Sequence, residues 1–157
     1  MTSQQSDSPQ LDLYVSAEVA APVSLAEWQR WFEGWLGAMQ VSGSSELSVM
    51  LIDDERMRAL NHQYRDLDTT TDVLAFAAQE ADIPGSSEEP SLMLGDIVIS
   101  VPTAQRQADE QRHSLSEELA WLASHGLLHL LGWDHPDEES LQQMLQKQRD
   151  LLNYARE

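Results

Sequence analysis

Residues 115–136 read LSEELAWLASHGLLHLLGWDHP, and no other stretch of the chain limits its folding as tightly. At about 100° per residue, Leu115, Leu119, Leu122 and Gly126 fall on one inward stripe of a helix. His125 and His129 lie on the side of that stripe, one turn apart. The fold must therefore carry two imidazoles towards its interior, where each needs a partner. A single metal ion satisfies two histidines at i and i+4. Gly132 offers an exit from the helix. His135 precedes a proline and is biased away from helical backbone, so it falls on a turn from which it can swing back to the pair. Three neutral imidazoles with one open position describe a catalytic zinc site. A structural ion would instead close its coordination with a fourth protein ligand, for which Asp134 is the nearest donor. Imidazole also accepts nickel, copper and iron. The expectation is one divalent ion per chain, zinc first, held by His125, His129 and His135.

The same spacing, H-x-x-x-H-x-x-G-x-x-H, matches the zinc ligands of metzincin peptidases. Those enzymes place a glutamate directly after the first histidine as general base. Here that position is Gly126, which does no acid–base chemistry, and Met144 falls within a predicted helix rather than a Met-turn. Both departures argue against a conventional peptidase.

The rest of the chain reads as an α/β (α+β-like) single domain over 11–157, behind a disordered tail at 1–10. Strands are predicted at 11–16, 46–53, 73–78 and 92–100 from alternating or short apolar runs. Helices are predicted from Ser24, where Glu27 completes a capping box, and over 53–65 and 102–112. Another starts at Ser114, with Glu117 at the third helical position, and runs to about Leu131. The last begins at Pro136, with acids in its first turn. Residues 79–91 read as an exposed loop. The expected architecture is one small mixed sheet of about four strands packed with four to five helices, with the three histidines on the penultimate helix and the turn after it. Trp28, Trp31, Phe32 and Trp35 follow one helical face and are read as core rather than as a base-stacking platform.

Composition narrows the functions. The chain has no cysteine, so disulfides, thiolate metal sites and cysteine nucleophiles are excluded. The polar N-terminus lacks the features of a secretory signal, and no apolar run is long enough to span a membrane. A cytoplasmic protein without a membrane partner is expected. Nine basic residues face 27 acidic ones, a net charge of −18, which is the reverse of the usual nucleic-acid-binding footprint. Arg56, Arg58 and Arg65 sit in one predicted helix and form either a short positive strip or a solvated face. Tyr64 and Trp133 are the candidate exposed aromatics, and His62 and His113 read as surface histidines.

HGLLHLLGWDH resembles the signature of the YbeY family of bacterial rRNA-maturation endoribonucleases, in which glycine normally follows the first histidine. YRDLDTTTDVLAFA, residues 64–77, is similar to that family's Tyr-Arg and Thr-Asp-Val-Leu-Ser-Phe block. LGDIVIS, residues 94–100, is similar to its Leu-Gly-Asp-Ile strand, and Glu117 or Glu118 lies where the family has an acid before the histidine helix. The resemblance spans roughly residues 45–136. Thr70 replaces the family's usual proline and Ala75 its serine, which spares the histidines and Arg65.

This resemblance implies a metal-dependent endoribonuclease directed at single-stranded RNA, acting in rRNA maturation and ribosome quality control. It implies an rRNA substrate, a ribosomal subunit or ribosomal protein as partner, and no DNA partner. It makes Arg65 the candidate catalytic residue, a phosphate clamp, since guanidinium matches phosphate bidentately. Without the resemblance Arg65 is an ordinary cation at a helix C-terminus. The ion either acidifies water or polarises a phosphoryl oxygen while the RNA 2′-OH attacks; the sequence leaves both routes open. Asp72 and Asp96 either orient the histidines or cap turns. Two other functions compete: a metallopeptidase-like hydrolase, and a non-catalytic ribosome-assembly factor whose metal only holds the fold.

Overall fold

The computed structural model describes residues 9–78 and 92–156. The predicted loop at 79–91 and the first eight residues of the predicted tail lie outside them. The elements run β1 (Pro9–Ala17), α1 (Leu25–Ala38), β2 (Gly43–Ile52), α2 (Asp54–Arg65), β3 (Val73–Ala77), β4 (Leu92–Ser100), α3 (Val101–Gln111), α4 (Leu115–Leu130) and α5 (Glu138–Arg156). They form one small domain, a four-stranded mixed sheet ordered β1-β2-β4-β3. The β1–β2 and β2–β4 pairs are parallel; β3 runs antiparallel to β4 along one edge. β1 starts at Pro9, two residues ahead of the alternating run, because Pro9 and Gln10 pair with Gly43 and Ser44.

The helix starts follow their capping chemistry. The Ser24 side chain accepts from Glu27 N, and Ser114 with Glu117 makes the reciprocal capping box. The last helix begins at Glu138, two residues later than Pro136 suggests. Asp137 takes the cap instead: its Oδ1 accepts from Ser140 N at 2.8 Å, while Ser140 Oγ accepts from Asp137 N at 3.2 Å. A side-chain acceptor for an orphan amide outweighs proline's preference for the first turn.

One sheet face carries the main core. Trp28, Phe32 and Trp35 of α1 pack with Leu47, Val49 and Ile97 of the sheet, and with Leu119 and Leu127 of α4. The tryptophans stack on one another, Trp28 meeting Trp31 edge-on at 5.2 Å, and none is a platform for a base. The opposite sheet face is covered at one end by α2, through Met57 against Ile52, Leu74 and Val98.

Asp54, the first residue of α2, ties that helix to α3. Its Oδ1 accepts from Ser100 Oγ and Thr103 Oγ1, both at 2.6 Å, and its Oδ2 from Arg106 Nη2 at 2.9 Å. Burial opposes the charge, but hydrogen bonds from Ser100, Thr103 and Arg106, and the charge of Arg106, outweigh it and hold the carboxyl at about 2, below the ordinary 3.8. A folded-state pKa below the unfolded one gives stability that is present above the unfolded value and lost as pH falls through the folded one. Asp54→Asn should therefore cost about 1–2 kcal/mol at neutral pH, discounted for a side chain one-third exposed. Urea titrations should show its deficit against the wild type shrinking as pH falls from about 4 towards 2.

Candidate metal centre

His125 and His129 occupy the last turns of α4, whose buried side is pressed against the sheet and α5. The helix ends on Leu131, and Gly132 takes φ +100°, a left-handed conformation suited to glycine. Trp133 N then donates back to Leu128 O at 2.9 Å, and His135 N donates to Asp134 Oδ1 at 2.8 Å. This tight turn returns His135 to the other two rings, with centroid separations of 5.8 Å to His125, 5.4 Å to His129, and 4.6 Å between those two.

One ring nitrogen from each histidine lies within 4.8 Å of the others, so the three could hold a metal ion. Two nitrogens bound tetrahedrally to zinc sit about 3.3 Å apart, given bonds of about 2.0–2.1 Å. His125 Nε2 and His129 Nε2 are already 3.1 Å apart. Closing the set therefore asks for little more than a tilt of the exposed His135 ring. Among the described residues no fourth His, Cys, Asp or Glu joins the cluster. The Asp134 carboxylate is turned to its neighbour's amide instead, which leaves the donor set suited to an ion with an open position.

The His129 imidazolium is disfavoured first by burial and then by the nearby His125 and His135, so its pKa falls below the usual value despite the opposing pull of Asp134 and the Trp133 backbone. That favours the neutral ring, the form that ligates metals. The Oε1 of Gln148, a fully buried side chain of α5, lies 3.1 Å from His125 Nδ1.

Gly126 is explained by packing. A Cβ added there would stand 2.9 Å from Ile97 Cγ2 and 3.1 Å from Ile97 Cγ1. Residue 126 is where α4 rests on β4, and a glutamate there would collide with the sheet.

Arg65 ends α2 and reaches around edge strand β3. Its Nη2 donates to Ala75 O at 3.0 Å, and its guanidinium lies 5.3 Å from the centre of the Phe76 ring. Among the described residues it has no carboxylate within ion-pair distance. It lines a cleft of about 420 Å³ together with Asn61, Thr71, Ala75, His125 and His129. The cleft's rim is held by Asn61, which is buried and donates from Nδ2 to Thr69 O at 2.9 Å. The arginine and two of the histidines thus face one space, although 60 positions separate Arg65 from His125.

The other sequence candidates fall elsewhere. Arg56 pairs with Glu18 at 3.7 Å, and Arg58 makes a two-pronged contact with Asp68 at 2.8 and 3.1 Å, so the α2 arginines form no free positive strip. Asp72 caps its own turn, accepting from Val73 N at 2.7 Å and from Gln107 Nε2 at 3.2 Å. Asp96 is exposed beside Tyr64 and Phe76 rather than in the histidine cleft, so neither aspartate orients a histidine. His113 is not an isolated surface residue: its Nε2 lies 2.6 Å from Oε1 of Glu118, a buried acid. Tyr64 is exposed and edge-on to Phe76 at 5.4 Å, while Trp133 is half-buried against the core. His62 is exposed, as expected.

Comparison with known proteins gives a consistent relationship. Residues 15–156 match the family model described as Endoribonuclease YbeY. A Synechococcus protein (strain JA-2-3B'a(2-13)) named Endoribonuclease YbeY is 58% identical over 144 residues, covering 90% of this chain and 88% of that one. The protein of that name from Trichormus variabilis is 56% identical over 145 residues, covering 88% and 82%. Among solved structures, the solution structure of TM1509 from Thermotoga maritima superposes with a TM-score of 0.64 at 24% identity, covering 92% of this chain and 89% of that one, and shows the same fold.

Proposed function

The chain belongs to the YbeY endoribonuclease family, and from that membership we propose that it is a metal-dependent endoribonuclease cleaving single-stranded RNA. Its proposed roles are rRNA maturation at the 16S 3′ end and ribosome quality control. The observation that carries the reading is the shared cleft, in which the Arg65 guanidinium faces the same space as His125 and His129.

In this reading His125, His129 and His135 hold one divalent ion, zinc first. Bound there, the ion would supply Lewis acidity and lower the pKa of a coordinated water. Arg65 clamps the scissile phosphate and stabilises the charge that develops on it. Its hydrogen bond to Ala75 O and its stacking on Phe76 pre-position the guanidinium at the cleft wall. With glycine at 126, no glutamate base enters from the histidine helix.

The net charge of −18 gives RNA no long-range attraction, and Arg56 and Arg58 are already paired with acids. Affinity then rests on the ion, Arg65 and a partner, proposed to be a ribosomal subunit or ribosomal protein in the cytoplasm. Among the described residues no helix is long and apolar enough to cross a membrane.

The test compares wild type and Arg65→Glu, both zinc-loaded, on a labelled single-stranded RNA. Cleavage should fall about 100-fold or more. Zinc content should hold, and stability should change by only about 0.5–1.5 kcal/mol, the worth of one hydrogen bond. Normal cleavage by Arg65→Glu would remove the clamp. A zinc-loaded wild type that cuts casein but not RNA would favour the peptidase, and one that cuts neither would favour the assembly factor.

A further inference from the structure

We propose that Gln148, 23 positions beyond His125 and on a different helix, is the positioning residue that fixes the His125 tautomer and thereby presents its Nε2 to the metal. The inference rests on the metal-site reading above but not on the RNA chemistry. Its ground is a chain of hydrogen bonds inside the core. Gln148 Nε2 donates to Trp121 O at 3.0 Å and to Ser124 Oγ at 3.3 Å. Ser124 Oγ in turn donates to Trp121 O at 2.8 Å.

These contacts settle which end of the amide is which. A carbonyl oxygen only accepts, so the group facing Trp121 O must be the NH2. The amide oxygen is then the atom that faces His125 Nδ1 at 3.1 Å. An oxygen acceptor there requires a proton on Nδ1, and in a neutral ring the lone pair must lie on Nε2. Nε2 is the nitrogen that points at His129. Because Gln148 is fully buried, water cannot substitute for it.

α5 thus supplies no ligand yet sets the chemical state of one. A buried glutamine is costly unless its amide is satisfied, and here both its donor and its acceptor ends are.

The test uses the full chain and zinc as the probe. Long-range proton–nitrogen spectra of metal-free wild type should show His125 protonated on Nδ1 alone. Gln148→Met, close in volume but lacking the acceptor, should show a mixture of tautomers and bind zinc 10–100-fold more weakly in competition with a chromogenic chelator. Gln148→Glu keeps the acceptor but turns a second oxygen on Trp121 O, so it should recover that affinity only in part, through its protonated form. Wild-type His125 protonated on Nε2 would overturn the proposal, and so would Gln148→Met binding zinc as tightly as wild type. The wild-type spectrum decides the matter even if Gln148→Met does not fold. Zinc binding that depends on Gln148 in a protein that cuts no RNA would defeat the nuclease reading and leave this one standing.

Discussion

Gly95→Ala is expected to remove a large part of the chain's folding stability. Gly95 sits in β4, between β2 and β3, with φ +133°. The register slips there: Glu46 pairs with Met93 but Leu47 pairs with Gly95, leaving Leu94 as the extra residue of a bulge. A Cβ at 95 would lie 2.2 Å from Phe76 O and 3.0 Å from Ala77 Cα, both backbone atoms of the adjoining strand. Neither can turn aside as a side chain can. Alanine must strain its own backbone, prise β3 from β4, or both. The cost should exceed about 4 kcal/mol, a large part of the about 5–15 kcal/mol that holds a typical domain together. Urea denaturation measures it, with Gly126→Ala as the comparison. That Cβ meets only the Ile97 side chain, which can shift, so the penalty should be about 1–3 kcal/mol. Equal losses at the two positions would contradict this account of β4.

His129→Ala carries the second large effect. Zinc content measured by mass spectrometry on untagged protein should fall from about one ion per chain to near none. RNA cleavage should disappear with it. Wild type should melt higher with zinc than without, by the free energy of binding; at a free zinc concentration of about 1,000 times Kd this is about 4 kcal/mol. The variant should melt alike with and without zinc, close to metal-free wild type, because the His129 ring is only half-buried. A variant that keeps its ion would remove His129 from the ligand set.

Much of this site was legible because its signals are local. The histidines announce themselves by helical spacing, a glycine exit and a proline after His135. The serine caps at Ser24 and Ser114 mark helix starts for the same reason. What stayed hidden depends on distant partners. Arg56 and Arg58 suggested a positive strip only because Glu18 and Asp68 could not be placed beside them. Gln148 is one polar residue among many in α5, and only the packing of α5 on α4 reveals its role. His113 looked solitary because its partner Glu118 lies across a helix cap. Sheet order and the antiparallel run of β3 were beyond the pattern of apolar residues, which does not tell a strand its neighbour.

The ring nitrogens and the guanidinium that meet in the cleft answer to different parts of the folding energy. The three histidines lie within eleven consecutive positions, so bringing them together closes only a short loop. Arg65 must close one of about 60 residues, a difference of about 1.6 kcal/mol in chain entropy. It is also held at β3, a border strand of the sheet. On the proposed assignment, a brief detachment of β3 would take away the phosphate grip while the ion stays seated.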